Sequence, residues 1–240
     1  MTIDLIYNQL VSDLEEAGKN SPYPADANEL DPRYKAYGVR SPEKKSIFKA
    51  HRPNIRQLNQ ADQIKLAERL IKSGFGEQQT LGLFILQPLA HTFTPDKFNQ
   101  IDELIRCLHG WSKVDEFAGS LLRDILFAHP APFLELVKTW NSDPDLWLRR
   151  MSVVLFTRKV AKSGTFTDFA LDMCHNLMHA PEDLVQKGVG WALKDLMRAD
   201  KDRILELVYQ LRKEGVSSTI TLYAIRDLKG EERANFLARE

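Results

Sequence analysis

The chain has 240 residues, of which 43% are hydrophobic, and its 33 basic residues balance 33 acidic residues to a formal net charge of zero. This composition is typical of a globular protein and excludes a disordered chain. The longest apolar stretch, around LGLFILQPLA, is too short to cross a bilayer, and the N-terminal segment has no basic region typical of an export signal. Cys107 and Cys174 are too few to staple a protein of this size, which predicts free thiols and a cytoplasmic location.

The charges are unevenly distributed along the neutral chain. Residues 1–32 hold one lysine against seven acidic residues, whereas residues 33–72 hold eleven basic residues against three acidic ones. Residues 149–201 add nine basic residues against six acidic ones. Because phosphate contacts depend on the local field rather than on the total charge, the block at 33–72 still predicts DNA binding. The alternative is that these lysines and arginines only form solvent-exposed faces of helices and bind nothing.

The apolar residues recur at spacings of three and four, so the chain is predicted to be all helix. Ser41, Thr94 and Asp143 each precede a proline, which is the expected arrangement at a helix start. The predicted helices run near residues 3–17, 42–51, 60–73, 77–90, 95–108, 112–128, 131–140, 144–162, 167–179, 183–198, 201–214 and 218–227.

From residue 60 onward the predicted helices form pairs. The first helices of the pairs begin near residues 60, 95, 131, 167 and 201, a period of about 35 residues that is typical of helical-repeat proteins. Such hairpins bury their apolar faces only by stacking. We therefore predict an all-α, HEAT-like helical-repeat solenoid, an α-α superhelix with a concave DNA-binding groove. It is expected to be a single domain over 1–240, with capping helices at 1–58 and stacked pairs at 59–228.

Unusual polar and aromatic residues fall near the starts of the second helices in three successive pairs. Trp111 and Asp115 are four residues apart and therefore share a helix face. Two further stripes combine cations with apolar or aromatic residues: Arg150, Val154 and Arg158 in one, and Trp191, Lys194, Asp195 and Arg198 in the other. Because buried cations need partners, such stripes favour a surface where indoles meet bases or sugars and cations meet phosphates.

The sequence does not predict a zinc site. Cys174, His175 and His179 lie on one predicted helix, and Cys107 with His109 lies elsewhere, but neither group supplies a third ligand at a recognised spacing. The sequence also has no phosphate-binding glycine loop, no serine nucleophile elbow and no paired catalytic carboxylates. We expect no cofactor and no metal.

Four segments of the chain are similar to one known family. GVRSPEKK (38–45), GWSKVDEF (110–117), DLWLRRMSVVLF (145–156) and KGVGWALKDLMR (187–198) resemble the AlkD-type DNA glycosylases of the DNA alkylation repair family, which are HEAT-like helical-repeat proteins. The resemblance covers residue 33 to the C-terminus. It implies a monomeric, monofunctional glycosylase of base excision repair that excises N3- and N7-alkylated purines from double-stranded DNA.

The resemblance also implies the roles of individual residues. The catalytic Asp falls on Asp115, the lesion-facing tryptophans on Trp111 and Trp191, and the catalytic-site Arg on Arg150. Arg158 and Lys194 fall on family DNA-backbone contacts. The full set of predicted DNA contacts is Arg149, Arg158, Lys159, Lys187, Lys194, Arg198, Lys44 and Lys45.

The chain departs from the family at one lesion-facing position. Family members carry a tyrosine nine residues before the glycine that matches Gly38, and this chain has Glu29 there. Tyr34 and Tyr37 lie nearby but out of register. A sister subfamily with narrower or altered substrates is therefore one alternative. A non-catalytic HEAT-like module that binds DNA or a protein partner is the other.

The residue types also suit the chemistry. A purine alkylated at N3 or N7 is already cationic and leaves without a general acid, so catalysis needs negative charge beside the sugar, where oxocarbenium character develops. Asp115 supplies that charge, Arg150 would hold a flanking phosphate and keep Asp115 ionised, and the indoles of Trp111 and Trp191 attract the cationic base. This predicts selectivity for cationic over neutral lesions.

Overall fold

The computed structural model describes residues 2–22 and 31–239 of the chain. It consists of two compact units, Met1–Pro130 and Ala131–Glu240, which we call unit 1 and unit 2. Over the described residues the chain is helical and forms no strand beyond an isolated bridge between Lys35 and Phe75. The prediction of an all-α protein is therefore confirmed. None of the described helices is both long and apolar enough to span a bilayer.

Unit 1 begins with four helices that enclose one apolar core. Ile6, Leu10 and Leu14 follow a four-residue spacing and are fully buried, so the first helix turns one apolar face inward. The fourth helix is buried on nearly every side and packs on the third. These helices are α1 (Ile3–Lys19), α2 (Ser41–Gln57), α3 (Gln60–Ile71) and α4 (Gly76–Leu86).

The rest of unit 1 departs repeatedly from regular α-helix. Two 3₁₀ segments, Gln87–Thr92 and Pro95–Lys97, follow α4. A π-helical turn at Ala118–Leu122 then interrupts what the sequence predicts as one helix over 112–128. The helices of this part are α5 (Phe98–Ile105), α6 (Trp111–Phe117) and α7 (Arg123–Ala128).

Unit 2 contains the remaining helices. The structure replaces the helix predicted at 144–162 by two shorter ones and adds a last helix that the sequence patterns do not predict. They are α8 (Pro130–Asn141), α9 (Leu146–Val154), α10 (Arg158–Ser163), α11 (Thr167–Asn176), α12 (Asp183–Leu196), α13 (Lys201–Lys213), α14 (Ser218–Ala224) and α15 (Gly230–Leu237).

Within each unit the second helices of successive pairs pack on one another. In unit 1, α4 contacts α6, and the capping helix α2 contacts α4 in the same way. In unit 2, α9 contacts α12, and α12 contacts α14. This is the neighbour relation expected of stacked helical hairpins. It places the predicted site residues Trp111 and Asp115 in one series, and Arg150 and Trp191 in the other.

Candidate functional site

Trp111 and Asp115 lie on α6 in unit 1, as the sequence spacing predicts. Gly110, in extended conformation, precedes the helix, and Trp111 is its first residue. Trp111 is 38% exposed although it is a large aromatic residue, whereas Asp115 is only 8% exposed. The π-helical turn begins three residues after Asp115, and such turns are frequent at functional sites. A shielded carboxylate thus lies one turn from an accessible indole.

The opposite flank of α6 carries a polar cluster that sequence reasoning missed. Lys113 is 4% exposed, and its ammonium donates to the Thr80 hydroxyl at 2.6 Å and to the Glu116 carboxylate at 2.5 Å. Thr80 in turn donates to Glu116 at 2.9 Å. The three-residue spacing of Lys113 and Glu116 is a sequence signal for this pair. No sequence signal pointed to Thr80 as their partner.

Lys44, a predicted DNA contact, reaches the same cluster from α2. Its ammonium lies 3.5 Å from the Thr80 hydroxyl oxygen. Burial, and next the neighbouring Lys113 charge, lower the pKa of Lys44 from 10.5 to about 8. This part of unit 1 therefore holds two cations close together, with the carboxylates of Glu116 and Glu77 near Lys44.

Glu77 fixes the start of α2 and therefore the position of Lys44. This buried residue of α4 accepts hydrogen bonds from the backbone N–H groups of Tyr37, Gly38 and Val39, at 3.1, 2.9 and 3.0 Å. Gly38 adopts a φ of 81°, which glycine tolerates without a Cβ penalty. One carboxylate thus holds the segment that enters α2.

In unit 2, Asp195 organises the residues around Trp191. It is 1% exposed, and its Oδ2 accepts from the Trp191 indole N–H at 3.1 Å and from the Arg158 backbone N–H at 2.7 Å. It also forms ion pairs with Lys194 at 3.2 Å and Arg198 at 3.5 Å. Hydrogen bonds to a buried carboxylate contribute about 1.5–3 kcal/mol each, so this residue determines the local geometry.

Arg158 and Trp191 form a stacked pair. The Arg158 guanidinium lies 4.9 Å from the centroid of the Trp191 ring, on the indole face. Arg158 has a φ of 53°, the one positive φ among the described non-glycine residues. Its backbone N–H bond to Asp195 holds it in that unfavourable conformation. One face of the predicted lesion-facing indole is thus already in contact with a cation of the protein.

Arg150, on α9, is 5% exposed and donates to the carbonyl oxygen of Leu184 at 2.5 Å. Its aliphatic stem packs on α12 where Gly188 has no side chain, since a Cβ added there would lie 3.4 Å from Arg150 Cγ. The neighbouring Arg149 forms an ion pair with Glu182. Trp147, three residues before Arg150 on α9, is 2% exposed and belongs to the core.

The other predicted DNA contacts differ in accessibility. Lys194 is held between Asp195 and Asp227, each 3.2 Å away, with 14% of its side chain exposed. Lys187 forms an ion pair with Asp183 at 2.6 Å. Lys45 and Lys159 are exposed. The predicted departure at Glu29 lies outside the described residues. Within 2–22 and 31–239, no three His, Cys, Asp or Glu side chains group closely enough to hold a metal ion.

These features define an all-helical protein of paired, stacked helices. The predicted catalytic-site residues lie on the second helices of the pairs. The sequence matches the family model of DNA alkylation repair enzymes over residues 11–228. The chain therefore belongs to the DNA alkylation repair enzyme family.

Among solved structures, a predicted DNA alkylation repair enzyme from Enterococcus faecalis shares the fold. It superimposes with a TM-score of 0.70 at 15% sequence identity, covering 82% of this chain and 89% of that one. No curated protein matches the chain in sequence. Family membership assigns the chain to DNA repair and makes DNA its substrate. The helical-repeat fold predicted from the 35-residue period is confirmed.

Proposed function

We propose that the protein is a DNA glycosylase of base excision repair that hydrolyses the N-glycosidic bond of cationic N3- or N7-alkylated purines in duplex DNA. It acts as a cytoplasmic, monofunctional monomer without a metal or cofactor. The observation that carries the proposal is Asp115, a carboxylate only 8% exposed that follows the accessible Trp111 by one turn of α6.

The proposed reaction uses the charge that the lesion already carries. As the bond from C1′ to the purine nitrogen lengthens, its electron pair moves to the base, which leaves as a neutral molecule, and positive charge develops on the sugar. Asp115 stabilises that charge electrostatically, an effect worth about a hundred- to a thousandfold in rate at comparable sites. A water molecule then adds to C1′ and loses a proton. No general acid is required.

The remaining predicted residues would bind and position the DNA. Trp111 offers an accessible indole to the deoxyribose or the cationic base, a contact worth about 0.5–2 kcal/mol. Trp191 would take the same role, and Arg150 would hold a flanking phosphate. Arg158, Lys159, Lys45 and Arg198 are accessible cations suited to backbone contacts.

The second candidate is a non-catalytic module that binds DNA or a protein partner. One observation favours it: the Trp191 indole is already stacked under Arg158 and bonded to Asp195, so a lesion must displace a guanidinium to reach that face. In this case the same scaffold holds DNA and no bond is broken.

Release of free base from defined duplexes separates the two candidates. The purified protein is incubated with one duplex containing 7-methylguanine and with another containing hypoxanthine, a neutral purine lesion, and the liberated bases are quantified by chromatography. We expect release of 7-methylguanine and negligible release of hypoxanthine. Equal release of both would contradict the role of the positive charge. Duplex binding without any release would favour the non-catalytic module.

A further inference from the structure

Unit 1 contains a cleft that no predicted site residue lines. It has a volume of about 510 Å³ and is formed by side chains of α2, α3, α4, the Gln87–Thr92 segment and α7. That size lies within the range of sites that bind small molecules or single nucleotides. The cleft lies within unit 1 and is open to solvent.

Two aromatic rings form its apolar wall. Phe48 of α2 and Phe84 of α4 meet edge to face, with ring centroids 5.3 Å apart and an interplanar angle of 61°. Both residues are half-buried, and Ile55 and Ile85 complete the apolar lining beside them. A planar base has a face to stack on here, a contact that tolerates any base because every base has a π-face.

Two arginines line the same cleft. Arg52 and Arg56 lie four residues apart on α2, and both are exposed. Over the part of the chain that the structure describes, neither guanidinium has an ion pair or a hydrogen bond. The acidic lining residue, Asp124, already accepts two hydrogen bonds from Arg123, at 2.8 and 2.6 Å. The cleft therefore has a net positive charge and suits an anionic ligand.

The lysine cluster lies one helical turn before the two aromatic residues of the cleft, on the same helices α2 and α4. Lys44 and Thr80 precede Phe48 and Phe84 by four residues each, so each pair lies one above the other on its helix. At a rise of 1.5 Å per residue, Lys44 and Arg52 are roughly 12 Å apart along α2. The pKa of Lys44 is lowered to about 8 by burial and next by the Lys113 charge, so a phosphate beside its ammonium would stabilise the charged form. Aromatic rings thus lie between two cationic ends.

We propose that this cleft binds an unpaired stretch of a DNA strand, with a base stacked on Phe48 and Phe84 and its flanking phosphates held by Arg52 with Arg56 and by Lys44. The choice of a nucleic acid as ligand rests on the proposed function. The cleft is a second DNA site, which shares Lys44 with the predicted duplex contacts and is otherwise separate from the residues assigned to base excision. It predicts tighter binding of DNA with a single-stranded tail than of blunt duplex.

Fluorescence anisotropy with a labelled all-thymidine strand tests this site. The strand has about eight nucleotides, within the usual site size of such surfaces. The double variant Arg52→Gln/Arg56→Gln is compared with Lys19→Gln/Lys49→Gln, which removes the same charge from exposed positions of unit 1 outside the cleft. We expect the arginine variant to reduce the slope of log affinity against log salt by about 0.7, because the phosphate that Arg52 and Arg56 hold together is lost. The lysine variant should leave the slope unchanged.

A second variant tests stacking. Phe84→Leu keeps an apolar side chain and removes the ring, so we expect affinity for the strand to fall about fivefold or more. Equal slopes for the two double variants, or unchanged affinity in Phe84→Leu, would overturn the proposal. Circular dichroism reports folding of each variant, and the surface arginine variant remains decisive if Phe84→Leu does not fold.

Two parallel measurements distinguish strand binding in the cleft from binding of a free nucleotide and from the proposed glycosylase activity. In the first, thymidine monophosphate competes with the strand at equal nucleotide concentration. Displacement of the strand would contradict the proposal and show that the cleft binds a free nucleotide. Excision of 7-methylguanine by the wild-type protein is scored independently. Absent excision with arginine-dependent strand binding would reject the proposed function alone, and excision without such binding would reject the cleft alone.

Discussion

Lys44, a proposed phosphate contact with a partly buried ammonium, is expected to make DNA binding sensitive to pH. Burial and the Lys113 charge lower its pKa to about 8 in the folded protein, well below the 10.5 of a free lysine. Between these values the unfolded chain binds more protons, so this lysine makes the folded state relatively more stable as pH rises through that window. Phosphate prefers the protonated form, so the effect on DNA binding has the opposite sign.

Affinity for DNA should therefore fall as pH rises through about 8. We expect Lys44 to account for a decrease in affinity of up to about tenfold between pH 7 and pH 9. A group with this pKa loses about one proton over that range. The measurement is the duplex dissociation constant at both pH values for wild type, Lys44→Gln and Lys49→Gln. Lys44→Gln should flatten the dependence, whereas the exposed Lys49 control should not. Parallel loss in all three proteins would refute the assignment.

At the scale of residues, the sequence predicts which side chains share a helix face better than it predicts how buried they are or what they contact. The four-residue spacing of Trp111 and Asp115 was enough to place both on one helix, because that relation is local. It did not reveal that Asp115 is shielded while Trp111 is accessible. The contacts of Asp195 with Arg158 and of Lys113 with Thr80 join residues more than thirty positions apart, so no local pattern encodes them.

At the scale of elements, the same long-range contacts explain the errors in helix boundaries. The predicted helix at 144–162 ends at Val154, and α10 begins at Arg158, because the Arg158 N–H turns towards Asp195 of α12. The helix predicted near 42–51 instead continues to Gln57, with Pro53 inside it and Ile55 buried. Tertiary packing overrides the local signal in both cases.

The last helix was missed for a different reason. α15 buries Phe236 as its one buried residue, so the segment carries no apolar period that predicts a helix. The period of about 35 residues, in contrast, was visible because each hairpin repeats one complete apolar face. Repetition over several elements is a stronger signal than any single element provides.

The contact of α12 with α14 depends on the absence of a side chain at Gly190. A Cβ added there would lie 2.7 Å from Tyr223 Cβ and 2.8 Å from the Ile220 carbonyl oxygen. We expect Gly190→Ala to lower the free energy of unfolding by about 1–3 kcal/mol, in spite of the better helix propensity of alanine. Denaturant unfolding of the purified variant measures it.

Gly188 is the matched control on the same helix. Its added Cβ would meet Val153 and Arg150 side-chain atoms at 3.3 and 3.4 Å, which flexible side chains relieve by small shifts. We expect Gly188→Ala to change the free energy of unfolding by less than about 1 kcal/mol. Equal destabilisation by both substitutions would show that the packing of α12 on α14 is not limited by Gly190.

At the scale of the whole molecule, zero net charge coexists with strong local fields. The eleven basic residues of 33–72 include Lys44 of the lysine cluster, and Arg52 and Arg56 of the cleft. The net charge of the whole chain argues against DNA binding, whereas the distribution of the charges along the chain favours it. The organisation of 1–240 as a single domain and the concave groove remain predictions.

The central claim is that the Asp115 carboxylate promotes loss of a cationic purine. Single-turnover excision of 7-methylguanine from duplex DNA tests it. The comparison includes wild type, Asp115→Asn and the control Asp102→Asn on α5, whose carboxylate pairs with Arg106 at 2.8 Å. The account predicts that Asp115→Asn binds the duplex as wild type does and excises about a hundred- to a thousandfold more slowly, while Asp102→Asn keeps the wild-type rate. Excision by Asp115→Asn at the wild-type rate would contradict it.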